Sequence, residues 1–239
     1  MPGQLYFSRN KVEQDFSLRQ LEFEPEKIFA IETFLAFERA LIRHVETKLL
    51  ERTDGSMLAL ARSRLSGFWA ETIPNIQAHW ALIAAASQVL IEAERLSKAL
   101  KNAPPFLSDL VKAYSGGDSP WCLLDTYHRH MESRWYAFDP DMGDETLEKL
   151  IVRARQRYSE LGSELAKLFV TYYQKVKHPI EGLLSQREVF EKHVKPRSRE
   201  VKTAYVWVDA LRFEMGRELC DVLRDDFEIE IQPLAANEN

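Results

Sequence analysis

Thr203-Ala204-Tyr205-Val206-Trp207-Val208-Asp209-Ala210-Leu211-Arg212 is where the character of the chain changes. The first six residues are β-branched, aromatic or apolar and carry no charge, so they read as a strand buried on both faces, as in a parallel sheet. Asp209 closes the strand, and Ala210 to Leu223 reads as a helix. Phe227-Glu228-Ile229-Glu230-Ile231 alternates apolar and acidic residues, the period of a second strand. Strand, helix and strand within residues 203–236 make one βαβ unit.

Upstream of this stretch the pattern is helical. Ile28, Ile31, Phe34, Leu35, Leu41, Ile42, Val45 and Leu49 recur at three- and four-residue steps after Pro25, which suits a first helical turn. Thr53-Asp54-Gly55-Ser56 ends that helix and caps the next, which stops before Pro74. A third helix runs to about Lys101, a short one reaches Tyr114, and another spans Pro120 to about Phe138. The longest, Asp144 to about Val176, carries Leu147, Leu150, Ile151, Ala154, Tyr158, Leu161, Leu165, Leu168, Phe169 and Tyr172 at helical spacing. A further amphipathic piece covers about 182–194. Residues 1–24, with Tyr6, Phe7, Phe16 and Phe23, read as an extended lead-in packed on the helices. The fold class expected is mainly α: a helical region at 1–195 followed by a partial βαβ unit at 203–236.

Composition agrees with this reading and excludes several functions. Among 239 residues, 45% are hydrophobic and 29% charged, which suits one or two globular domains. Only 9 glycines and 10 prolines occur, too few for a many-turned all-β fold. The net charge of −5 argues against a dedicated DNA-coating protein, so any nucleic-acid contact needs a local patch. No apolar run is long enough to cross a bilayer, and no signal-peptide h-region follows Met1. Cys122 and Cys220 make neither a disulfide framework nor a zinc spacing, as expected in a reducing cytoplasm.

Asp209 is the leading candidate for chemistry. A carboxylate at the end of a parallel strand lies where open α/β sheets bind ligands, and its oxygens suit a divalent cation. From the pattern alone, the commoner reading of the same residue is the cap of the helix that follows. His128, Asp125 and Glu132 share a helix face and read as a charged network. His130, two residues from His128, points away from it. Cys122 and Cys220 read as core thiols, and Trp135-Tyr136-Ala137-Phe138 as packing aromatics. Arg187, Lys192, Lys195, Arg197, Arg199 and Lys202 are interleaved with Glu188, Glu191 and Glu200; they read as a solvated linker or a phosphate-seeking patch.

Tyr205 to Glu214, with Arg217-Glu218-Leu219 one turn on, resembles the opening of the PglZ domain, in which an apolar strand ends in Asp-Ala-Leu-Arg before a Glu-containing helix. Trp121-Cys122-Leu123-Leu124-Asp125-Thr126-Tyr127-His128-Arg129 is similar to a pattern in the helical region before that domain. The PglZ family belongs to the alkaline phosphatase superfamily and occurs in BREX-type phage defence. The resemblance implies a parent that is a metal-dependent phosphatase or phosphodiesterase, with zinc, magnesium or manganese as cofactor and Asp209 as the first metal ligand. It implies that the threonine nucleophile and remaining ligands belong to a segment following Asn239. The expectation is therefore a fragment, silent as this chain, with no catalytic or cofactor-binding residue of its own. Its expected partners are other defence proteins or a second copy through the unfinished sheet; nucleic acid is left open, and no membrane is expected. The rival expectation is a non-catalytic helical adaptor.

Overall fold

The computed structural model describes residues 11–18, 23–139, 144–176, 183–231 and 234–235. The chain is mainly α-helical. In order, the helices are α1 (Leu35–Glu51), α2 (Gly55–Arg64), α3 (Phe68–Thr72), α4 (Pro74–Leu100), α5 (Leu107–Ser115), α6 (Leu123–Ala137) and α7 (Glu145–Tyr173). A two-residue strand β1 (Leu184–Ser185) follows, then α8 (Lys195–Glu200), α9 (Phe213–Leu223) and β2 (Leu234–Ala235). The strands β1 and β2 pair in parallel, Leu184 opposite Leu234 and Ser185 opposite Ala235. Two compact units interleave along the chain: residues 1–97 with 127–161, and residues 98–126 with 162–239.

Local chemistry sets the helix boundaries. Asp54 accepts the Ser56 N–H at 2.9 Å and starts α2. Asp144 accepts from the Thr146 and Leu147 amides, each at 3.0 Å, and starts α7. Pro74 opens α4, where its missing N–H is harmless. Phe34 heads α1 without a side-chain cap of its own. A residue far upstream supplies one: buried Glu13 accepts the Ala36 N–H at 3.0 Å. The long helix expected from Pro25 is thus divided, with a single helical turn at Pro25–Ile28 and α1 beginning only at Leu35.

The first unit has a continuous apolar core. Leu41, Val45 and Leu49 of α1, Trp80 and Ile83 of α4, and Leu147, Leu150 and Ile151 of α7 are fully enclosed. These are the stripes that the 3.6-residue period singles out. Burying side chains of this size contributes roughly 1.5–3 kcal/mol each. Into this core the sequence places charge. Glu38 accepts from Arg64 Nη1 at 3.0 Å and from Trp80 Nε1 at 2.6 Å, and Arg64 also donates to the Phe29 carbonyl. Burial raises the Glu38 carboxyl above its ordinary value against the lowering pull of Arg64. Removing either charge would strand the other, at a cost of roughly 3–5 kcal/mol.

The second unit corrects the strand assignments. Residues 203–208 form no helix and pair with no strand among the described residues, despite β-branched and aromatic side chains that favour a strand. Their side chains face solvent: Val206 is 75% exposed and Trp207 65%. Residues 227–231 likewise form no ladder. Propensity favours a strand locally, but a ladder requires a neighbour, and none of the described segments supplies one. The helix after Asp209 also begins later than expected, at Phe213 rather than Ala210. Ala210 has φ 57°, a left-handed conformation that ends the run and delays the helix by one turn. Cys220, expected in the core, is half-buried. Of the lead-in expected to be extended, Tyr6 and Phe7 lie outside the described residues, whereas residues 11–15 are helical and Phe16 is exposed rather than packed.

Candidate functional site

The second unit gathers the polar residues of α5, α6 and α9. Gly116 ends α5, Gly117 turns the chain with φ 77°, and the Trp121 and Cys122 amides donate back to Ala113 and Tyr114 carbonyls at 3.0 and 3.1 Å. This places Asp125, in the first turn of α6, beside α5: the Tyr114 hydroxyl donates to Asp125 Oδ2 at 2.8 Å. Burial, then the Asp125 charge and its hydrogen bond, push the Tyr114 phenol up, so it keeps its proton. On α9, Phe213 packs on Tyr114 with ring centroids 6.3 Å apart, and Arg217 donates to the Ser115 carbonyl at 2.7 Å. Glu214 is buried and lies 2.8 Å from Arg212 Nε.

Cys122 sits at the middle of this group, fully enclosed. Burial pushes its thiol up to about 11, with Asp125 and Glu214 adding to the rise and Arg217 opposing it. Such a thiol is neither a nucleophile nor a ready metal ligand at neutral pH. Residues of the two sequence stretches singled out above, 121–129 and 205–219, therefore meet in one cluster: Cys122 and Asp125 from the first, Phe213, Glu214 and Arg217 from the second. Tyr114 completes it, a residue to which no sequence motif pointed. Chemically the cluster fastens α9 to the α5–α6 turn through the Tyr114–Asp125 and Arg217–Ser115 bonds, while the buried Glu214 Oε1 accepts no hydrogen bond among the described residues.

Asp209 lies outside this cluster. It occupies the exposed turn before α9 and caps no helix; the N-cap position belongs to Arg212, which makes no side-chain cap bond. A tightly held catalytic cation needs about three protein ligands. Among the described residues no three His, Cys, Asp or Glu side chains are placed to hold a metal ion. The residues present do not fit such a centre, and no chemical step is derived through one.

The other sequence candidates sort as follows. His128 stacks flat on Tyr158, centroids 3.7 Å apart, and its Nε2 lies 3.4 Å from Glu132 Oε1. Glu132 accepts a bidentate pair from Arg155 at 2.7 and 2.8 Å, which holds its carboxyl below the usual range. Trp135 packs on Phe138 at 6.3 Å with Arg155 over its ring. In the basic stretch, Lys192 and Lys195 pair with Glu188 and Glu191 at 2.8 and 2.6 Å, so part of its charge is neutralised within single helical turns. A cleft of about 630 Å3 beside it is lined by both signs, including His193, Arg197, Glu228 and Glu230. No helix among the described residues is long and apolar enough to cross a membrane.

In comparison with known proteins, the chain matches no family model, no curated protein and no solved structure.

Proposed function

We propose that this chain is the helical region and opening strand–turn–helix of a PglZ-type protein of bacterial phage defence, and that it serves there as a scaffold. The single observation that carries this reading is the meeting of Asp125 and Cys122 with Glu214 and Arg217. Both stretches that resemble the family supply residues to one partly buried cluster around the enclosed Cys122 and Glu214, as expected if they belong to one functional unit. In this role the cluster holds α9, and with it the Asp209 turn, at a fixed place on the helices. The partial α/β unit at 203–236 then supplies the edge on which the parent domain's sheet is built, with Asp209 as its first ligand for zinc, magnesium or manganese.

The scaffold role is tested on the purified chain. With each of the three metals it should hydrolyse neither phosphate monoesters nor diesters above background. Metal-dependent turnover abolished by Asp209→Ala would contradict it.

One observation favours a second reading, a non-catalytic adaptor that captures another protein. Tyr205, Val206, Trp207 and Val208 are all about half exposed or more and pair with no strand among the described residues, and an exposed apolar segment with free main-chain groups accepts a strand from a partner. A partner bound through main-chain pairing should tolerate Tyr205→Phe and be lost on Val206→Pro.

A further inference from the structure

In the first unit, a pocket of about 190 Å3 opens between α2, α4 and α6. Its floor is made by Ala81, Ala84 and Ala85 on α4, where small side chains leave the inter-helix space unfilled. Its upper wall is one stripe of α6: Tyr127, His130 and Arg134, at i, i+3 and i+7. Arg62 reaches in from α2.

The polar groups here share a sign. Arg62 donates to the Gln88 side-chain carbonyl at 2.6 Å, and Arg134 to the His130 backbone carbonyl at 3.1 Å. Both guanidinium groups are thus oriented by neutral acceptors, and among the described residues neither forms an ion pair. Tyr127 senses Glu92, but Glu92 is already bonded to Arg95 Nε at 2.9 Å. Burial raises the Tyr127 phenol, so it remains a donor. Burial first, then Arg129 and Arg134, depress His130, as expected in a positive field.

We propose that this pocket binds a phosphate dianion, gripped between Arg62 and Arg134 with Tyr127 and His130 as further donors. Planar guanidinium groups suit phosphate oxygens, and charge-assisted bonds of this kind are the strong ones. Drug-sized ligands occupy pockets of about 300–1,000 Å3, so the pocket takes the phosphoryl group itself and leaves any organic remainder outside. Tyr127 lies in one of the stretches that resemble the PglZ family, but the inference rests on the pocket and its guanidinium groups and not on that resemblance.

The test is titration of the full chain with inorganic phosphate and, separately, with phenyl phosphate, at constant ionic strength against chloride. Binding is read by calorimetry and by the phosphorus NMR line. Both probes should bind if only the phosphoryl group is recognised; inorganic phosphate alone would restrict the ligand to the free ion and leave the site standing. Arg62→Gln and Arg134→Gln, both exposed positions, should each weaken binding about tenfold while the helical circular dichroism is kept. Ala85→Leu fills the floor without changing charge and should also abolish binding. Phosphate binding no stronger than chloride would overturn the proposal. So would retention of binding in Ala85→Leu, which would make the attraction a surface effect, or binding of duplex DNA alone.

Discussion

The guanidinium of Arg217 donates to the carbonyl oxygen of Ser115 at 2.7 Å, joining positions 102 residues apart in the sequence. This bond ties α9 to the end of α5, and the segment that precedes α9 has few other anchors. Arg217→Ala should therefore destabilise the second unit by about 1–2 kcal/mol, since it removes a charge-assisted bond to a buried carbonyl. Arg217→Lys should recover part of the loss. Urea unfolding of the three proteins measures the difference.

A second expectation concerns pH. Glu46 is enclosed and lies 2.6 Å from His79 Nε2. Burial raises its carboxyl above the ordinary 4.5, and Asp144 adds to the rise, while His79 and Arg43 oppose it. The native state then holds that proton more readily than the unfolded chain. The fold gains stability from this group as pH falls from neutral toward 4.5, and loses it as pH rises through the raised folded value. Glu46→Gln keeps the shape and removes the titration. The variant's stability, relative to the native chain, should improve from pH 5 to pH 7; parallel curves in urea melts would show that Glu46 is not the source.

Asp209 offers a direct contrast between two roles. If it capped a helix, Asp209→Ala would cost about 1 kcal/mol. Its place in an exposed turn ahead of the Arg212 cap position gives a different expectation, a change within about 0.5 kcal/mol. Equilibrium unfolding of this one variant distinguishes them.

The exposure of residues 203–208 is open to spectroscopy. Trp69 and Trp80 are enclosed, whereas Trp207 is 65% exposed. The emission lost in Trp207→Phe should be red-shifted and readily quenched by iodide. A blue-shifted, protected component would mean that the segment is covered.

Much of the helical architecture is legible in the sequence because it is local. The spacing selects the buried face of the first half of α7, where Leu147, Leu150, Ile151, Ala154 and Leu161 are buried. On the same stripe, Tyr158, Leu165 and Leu168 are only partly covered and Phe169 is exposed. Asp54 and Pro74 mark helix starts by chemistry that acts within one turn. What the sequence conceals is non-local. Glu38 and Arg64 look like surface residues by type, and only a fold that brings them within 3.0 Å of each other makes a buried pair of them. The proposed phosphate pocket escapes notice because its cations come from separate helices, with Arg134 meeting Arg62 only across alanines that no motif marks. The run at 203–208 shows the converse limit. Its residue types favour an extended backbone, but whether a strand forms and is covered depends on neighbours elsewhere. Asp209 was legible as a carboxylate at the end of that run; its exposed setting was not.

The proposed role of the α9 cluster in a phage-defence protein is open to a plating assay. In the native host, deleting this reading frame should raise the plating of a phage that the host restricts. Returning the native gene should restore protection, while returning Arg217→Ala, which loosens α9 from Ser115, should restore less of it. Phage plating that is unchanged by the deletion would contradict the account.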